Sequence, residues 1–210
     1  MRIALIAYHK NIDKIYPKEW IDKFRDSILN QTYSEFDIYE VEYGGGENRI
    51  FENSIYESRP FENFVYAMNY LLDKCFKRLG YDYVFNTNVD DFYATNRIEK
   101  QLKFLKDGYD LVSSNFSLID ENDKEVHRHY FDKLNLGSEL GRNHNIIAHP
   151  SVAYSRKFWL NTKGYNPNEI PYEDLKMWKR EFKKNRFIII EDNLLLHRVH
   201  EGAVCKSNNR

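Results

Sequence analysis

Tyr81-Asp82-Tyr83-Val84-Phe85-Asn86-Thr87-Asn88-Val89-Asp90-Asp91 is the stretch whose reading decides the fold: an aromatic, apolar strand runs straight into amides and two adjacent acids. Working outward, Gly80 precedes it and stops a helix from Phe61 to Arg78 that carries Phe64, Met68, Leu71, Leu72 and Cys75 on one face. Beyond it, Ile98, Leu102 and Leu105 have helical spacing up to Gly108, and Asp110 to Phe116 reads as the next strand. Toward the N-terminus the same alternation holds. Arg2 to Tyr8 is an apolar strand, Trp20, Phe24, Ile28 and Leu29 mark a helix, and Phe36 to Tyr43 alternates before Gly44-Gly45-Gly46. Strands alternating with helices need helical crossovers and so pair in parallel.

The second half is less regular. Ser117 to Val126 reads as a hairpin around Glu121-Asn122-Asp123, and Arg128 to Asn145 is a polar stretch of weak periodicity. Ile146 to Tyr154 is extended, a short helix surrounds Phe158, Gly164 marks a turn, and a helix begins after Pro171. Phe187 to Ile190 and Leu194 to Val199 read as two closing strands. The expected architecture is one α/β, Rossmann-like domain over residues 1–210 with a mixed, mostly parallel central sheet and its ligand at the carboxyl ends of the strands.

Charge narrows the partners. Thirty-one basic residues nearly cancel thirty-two acidic ones, which argues against a nucleic-acid binder or an anionic-membrane binder. Apolar runs such as Ile3 to Tyr8 are far too short to span a bilayer and lack signal-peptide flanks, so a cytoplasmic protein without a transmembrane segment is expected. Cys75 and Cys205 have no metal-ligand spacing and read as reduced and structural. The glycosylation sequons at Asn30 and Asn115 read as chance matches. Most of the sixteen tyrosines and fourteen phenylalanines are expected in the core.

Adjacent carboxylates repel unless solvent or a cation neutralises them, so Asp90 and Asp91 at a strand end suit Mg²⁺ or Mn²⁺; a solvated turn is the plain alternative. Glu173 and Asp174 follow Pro171 at a helix start, where the helix dipole also favours carboxylates for purely structural reasons. His200 is a possible imidazole ligand. His127 and His129 point the same way on a strand but lack a third ligand for zinc. Gly44 to Gly46 has neither a dinucleotide fingerprint nor a phosphate-loop Lys-Ser/Thr.

Five elements, in order over about 190 residues, resemble the GT-A glycosyltransferases of family 2. They are Ser27 to Tyr33 with Phe36-Asp37-Ile38, Val41 to Gly45, the Asp-x-Asp-like Asn88-Val89-Asp90 with Asp91, Glu173-Asp174 followed by Trp178 and Arg180, and His197 to Gly202. This chain departs from the family pattern in having Asn88 at the first acid of the Asp-x-Asp element and only one acid, Glu42, in the base motif. Asn69, in Ala67-Met68-Asn69, lies further from the metal motif than is usual.

The resemblance implies an inverting transfer of a sugar from a nucleoside-diphosphate donor, with a lean to uridine, onto a glycan or other hydroxyl acceptor. Residues 1–92 would bind the nucleotide sugar and residues 93–210 the acceptor. Ala7, Tyr8 and Glu42 would frame the base, and Asn69, Asn88, Val89 and Asp90 would contact the donor. Asp90 would hold Mn²⁺ or Mg²⁺ with Asp91 or His200 nearby, Asp174 would be the general base, and His149 and Glu173 would border the acceptor. Two rivals stand beside this reading. One is a non-catalytic sugar-nucleotide or glycan binding module, kept open by Asn88. The other is a nucleotidyltransferase, for which Lys10 and Lys14 are a poor triphosphate loop.

Overall fold

β1 (Ile3–His9) is buried at every position in the computed structural model, which describes residues 1–131 and 136–201. Side chains alternate across a strand, so its apolar run serves two cores. Ala4, Ile6 and Tyr8 pack with Val65, Met68, Leu71 and Leu72 of helix α3 (Phe64–Asp73) and with Trp178. Ile3, Leu5 and Ala7 pack with Phe24 and Ile28 of α2 (Lys18–Leu29) and Ile98, Leu102 and Leu105 of α4 (Arg97–Lys106). A parallel strand covered on both faces must be apolar throughout, and each such buried aliphatic side chain contributes roughly 1.5–3 kcal/mol. A charge at Leu5 would therefore break the three-layer arrangement.

The remaining strands are β2 (Asp37–Glu42), β3 (Ile55–Ser58), β4 (Tyr83–Asn86), β5 (Phe92–Tyr93), β6 (Leu111–Ile119), β7 (Glu125–His129), β8 (Ala153–Ser155) and β9 (Phe187–Arg198). They form one sheet in the order β3-β2-β1-β4-β8-β6-β9-β5, with β7 on β6. β3, β2, β1 and β4 are parallel. β8 runs against both β4 and β6, and β9 runs with β6, so β6 and β9 point the same way as β1. The carboxyl ends of β1, β2, β4, β6 and β9 consequently share one edge of the sheet. That edge collects Glu42, Asn88 to Asp91 and His197 to His200.

Helices stop where backbone geometry requires glycine: Gly80 and Gly108 adopt φ of 73° and 84°. The remaining helices are α1 (Ile12–Ile15), α5 (Leu136–Gly141), α6 (Arg156–Asn161) and α7 (Glu173–Glu181). Several sequence expectations are corrected. The two expected closing strands are one, β9, which stays paired to β6 through a register shift near Asn115 and Asn193. Short β3 and β5 were not foreseen, because four and two residues carry no legible period, and α5 lies inside the stretch read as polar loop. The hairpin does form, turning at Asp123 with φ 66° and an Asp120–Lys124 backbone bond. Cys75 is buried with its thiol pushed up to about 12 by desolvation, whereas Cys205 and Gly202 lie outside the described residues. Among the described residues no helix is long and apolar enough to cross a membrane.

Candidate active site

Glu42 ends β2 fully buried. Its Oε1 accepts from the Asn11 amide at 3.0 Å and the Gly44 amide at 3.1 Å, tying two loops together. Its Oε2 is buried without a hydrogen-bond partner, a costly arrangement that a ligand N–H would relieve. Burial first, then the charges of Glu42 and Asp90, raise the pKa of Tyr43, so both acids act on one neighbourhood. Tyr8 faces the same side and donates to Asn88 Oδ1 at 3.4 Å. The Ala7 and Val89 side chains belong to the opposite core, so any donor contact at these positions is limited to backbone. Asn69, expected at the donor, is bonded within the chain itself. Its amide donates to the Tyr165 carbonyl at 2.8 Å and accepts from the Tyr165 amide at 3.1 Å, leaving it a brace for the Gly164 turn.

The adjacent acids separate into two jobs. Asp91 is buried, with one oxygen at 2.9 Å and the other at 3.1 Å from His197 Nδ1, and it accepts from the Arg198 amide at 2.8 Å. Burial alone would push the His197 pKa down; the Asp91 carboxylate overrides it and holds the imidazole up at about 9, protonated. Asp91 is thus held in an internal ion pair with His197. Asp90 is half-buried, its Oδ2 at 3.1 Å from His200 Nε2. His200 packs edge-on to Trp20 and Tyr16 at centroid distances of 5.3 and 5.8 Å. Arg198 clamps this corner. Its guanidinium donates to the carbonyls of Asp90 and Asp120, pairs with Asp123 at 2.6 Å, and lies 4.3 Å over the Trp20 ring. Behind β4, buried Arg97 donates to the carbonyls of Asn86 and Pro150 and stacks over Tyr93.

Asp90 and His200 supply one hard oxygen and one imidazole nitrogen, a fitting partial donor set for Mn²⁺ or Mg²⁺. Among the described residues no group of three or more His, Cys, Asp or Glu is arranged to hold a metal. A cation there would need further oxygens from a bound diphosphate.

The third group begins α7. Asp174 is half-buried; its Oδ1 accepts from the Leu175 amide at 2.5 Å and its Oδ2 from Asn145 Nδ2 at 2.7 Å. Burial raises its pKa above the ordinary carboxylate value, against the lowering effect of those two bonds. Glu173 is 6% exposed with Oε2 unpartnered, and burial, with the charge of Asp174 adding, lifts it to about 7. His149 packs against Tyr165 and Trp178, its Nε2 buried without a hydrogen-bond partner and its pKa pushed down to about 4 by burial, so the ring is neutral. Sequence reasoning placed Trp20 on a helix and Arg198 within the His197 to Gly202 element but gave neither a role in the site, and it did not single out Tyr16 or Asn11. Only the register of β9 brings Arg198 beside Asp90. A groove of about 510 Å³ lined by Met1, Asp82, Tyr109, Asp110 and Arg156 lies at the opposite sheet edge and shares no residue with this site.

The α/β sheet carries Glu42 and Asp90 at its carboxyl edge, and comparison with known proteins gives the class of the fold. Residues 55–188 match the family model "Glycosyl transferase family 2", and the chain belongs to that glycosyltransferase family. The matched span includes Asn88 to Asp91 and Glu173-Asp174 but not Glu42 or His200. The chain is 27% identical over 222 residues to the O-antigen biosynthesis glycosyltransferase WbnJ of Escherichia coli, covering 97% of this chain and 82% of that protein. Among solved structures it resembles S. aureus TarS 1-349 in complex with UDP-GlcNAc, with TM-score 0.71 and 15% identity over 99% of this chain and 61% of that one. It also resembles the mannosyltransferase PcManGT from Pyrobaculum calidifontis in complex with GDP-Man and Mn²⁺, with TM-score 0.66 and 16% identity over 97% of this chain and 58% of that one. The chain thus spans about 60% of the first of these solved structures it matches. At such identity these structures establish the fold alone.

Proposed function

We propose that this protein transfers a sugar from a nucleoside-diphosphate sugar, UDP-linked, to a glycan hydroxyl with inversion, using Asp174 as general base. The observation that carries the reading is a chain of neighbours joining the acids: the charges of Glu42 and Asp90 both act on Tyr43, while that of Glu173, next to Asp174, acts on Tyr8, whose hydroxyl meets Asn88. The unpartnered Glu42 Oε2 suits the imide N–H of uracil. Asp90 and His200 would hold Mn²⁺ or Mg²⁺ with the donor, and the cation would neutralise charge building on the departing diphosphate. Residues 1–92 form the donor half and 93–210 the acceptor half.

Asp174 takes the acceptor proton as that oxygen attacks the anomeric carbon, the bond to the diphosphate breaks, and a single displacement inverts the centre. Between the two neighbouring acids, Asp174 is the reachable one, and Asn145 aims it; Glu173 lies deeper, and its half-protonated carboxyl at neutral pH suits hydrogen bonding to a substrate hydroxyl. The test is release of free nucleoside diphosphate from a panel of sugar nucleotides, with and without Mn²⁺, for the native chain, Asp174→Asn and Glu173→Gln. Asp174→Asn should lower turnover about 10²- to 10⁴-fold with donor affinity nearly unchanged. Native turnover in Asp174→Asn alongside an inactive Glu173→Gln would assign the base to Glu173.

A further inference from the structure

Aromatic and imidazole rings touch one another in a row that runs from His197, beside Asp91, to His144, beside Asn145 and Asp174. Alternation along β7 places His127 and His129 on one side, and Phe131 continues that side just past its end. His127 meets His129 at 4.4 Å. His129 lies flat on Phe116 across the ladder at 4.5 Å and on Phe131 at 5.4 Å with planes 14° apart. One end of the row reaches the Asp91 ion pair, because Phe116 meets His197 edge-on at 6.2 Å. The other reaches Asp174, because Phe131 meets His144 at 6.4 Å and the next residue, Asn145, holds the Asp174 carboxylate. His127, His144 and Asn145 are exposed, and His129 and Phe131 are half-buried.

We propose that this row is the ledge on which an oligosaccharide acceptor lies, stacking sugar C–H faces on His129 and Phe131 while its terminal hydroxyl reaches Asp174. The proposal rests on the transferase reading above and adds the class of acceptor and its route to the base. Chemistry selects the occupant. A pyranose has an apolar face and a rim of hydroxyls, matching flat rings bordered by the imidazoles of His127 and His144 and the amide of Asn145. An apolar partner would cover the exposed His127 imidazole and take its ring nitrogens out of water without replacing those hydrogen bonds, which is costly. A nucleic acid would need a run of basic residues, and this row has none between His127 and Phe131 except Arg128, which is paired with Glu125 at 2.6 Å. Burial first, then the neighbouring His127, His144 and His197, lower the His129 pKa, so its ring is neutral and its face apolar.

The experiment uses the full chain, tagged oligosaccharides of one to four hexose or N-acetylhexosamine units, and the variants Phe131→Ala, His129→Ala and Phe131→Trp. Phe131→Ala should raise the acceptor KM about three- to tenfold for the longer acceptors with kcat unchanged, and Phe131→Trp should restore it. In parallel, the His129 and His144 ring-proton resonances should shift on titrating the same oligosaccharides without donor, and this response should vanish in Phe131→Ala. Ring shifts that depend on Phe131, found in a chain that turns over no donor, would keep the ledge and sink the transferase reading. Absence of ring shifts with every oligosaccharide, or a fall in kcat at constant acceptor KM in Phe131→Ala, overturns the ledge.

Discussion

Replacing Glu173 by glutamine should make the protein more stable, and increasingly so as the pH rises. Glu173 is almost completely buried, with one oxygen unpartnered, and burial lifts its pKa from the ordinary 4.5 to about 7. Between those two values the folded chain holds this proton more tightly than the unfolded chain does. Stability is therefore undiminished below pH 4.5, falls as pH rises through the window, and levels off above about pH 8. At 1.36 kcal/mol per pH unit, the span from 4.5 to about 7 amounts to about 3 kcal/mol of destabilisation in the ionised form. Glutamine cannot ionise, so the advantage of Glu173→Gln over the native chain should grow by most of that amount between pH 5 and pH 8.5. For a chain of this size the gain corresponds to roughly 6–12 °C in Tm at the alkaline end. Urea unfolding of both proteins across this range measures the difference directly, and any fixed offset from the amide's own hydrogen bonding cancels in the pH dependence. A difference that stays flat with pH would refute the reasoning, because it would mean that Glu173 ionises as easily inside the protein as outside. A gain in stability accompanied by altered turnover is the signature of a strained functional acid.

Two further outcomes follow from the same geometry. Asp90→Asn should weaken UDP binding in excess Mn²⁺ while leaving it unchanged in chelator, read by titration calorimetry; equal affinity of the native chain in both buffers would remove the cation from the donor site. Arg97→Met should cost about 2–4 kcal/mol in urea unfolding, since the Asn86 and Pro150 carbonyls lose their buried donor, and a variant as stable as the native chain would show that water replaces the guanidinium.

Much of this protein was legible before any coordinates. The double-sided strand Ile3–His9, the helices around Phe24, Met68 and Leu102, and the glycine stops at Gly80 and Gly108 follow from residue period and backbone sterics, which act over a few neighbours. The acids could be seen at strand and helix ends, and their order along the chain carried the family resemblance. What each acid does was decided by partners distant in sequence. Asp90 and Asp91 are adjacent and identical in chemistry, yet Asp91 is turned to His197 while Asp90 meets His200, because β9 runs parallel to β6 and delivers both histidines to the carboxyl edge. Asn69 resembled a donor contact and became a brace for Tyr165, ninety-six residues away. Glu173 and Asp174 share a helix start, but only the packing of α7 buries the first and leaves the second within reach of Asn145. Local sequence sets which groups are available, through propensity and period. Burial and charge pairing set what those groups can do, and both are properties of neighbours that only the closed sheet brings together.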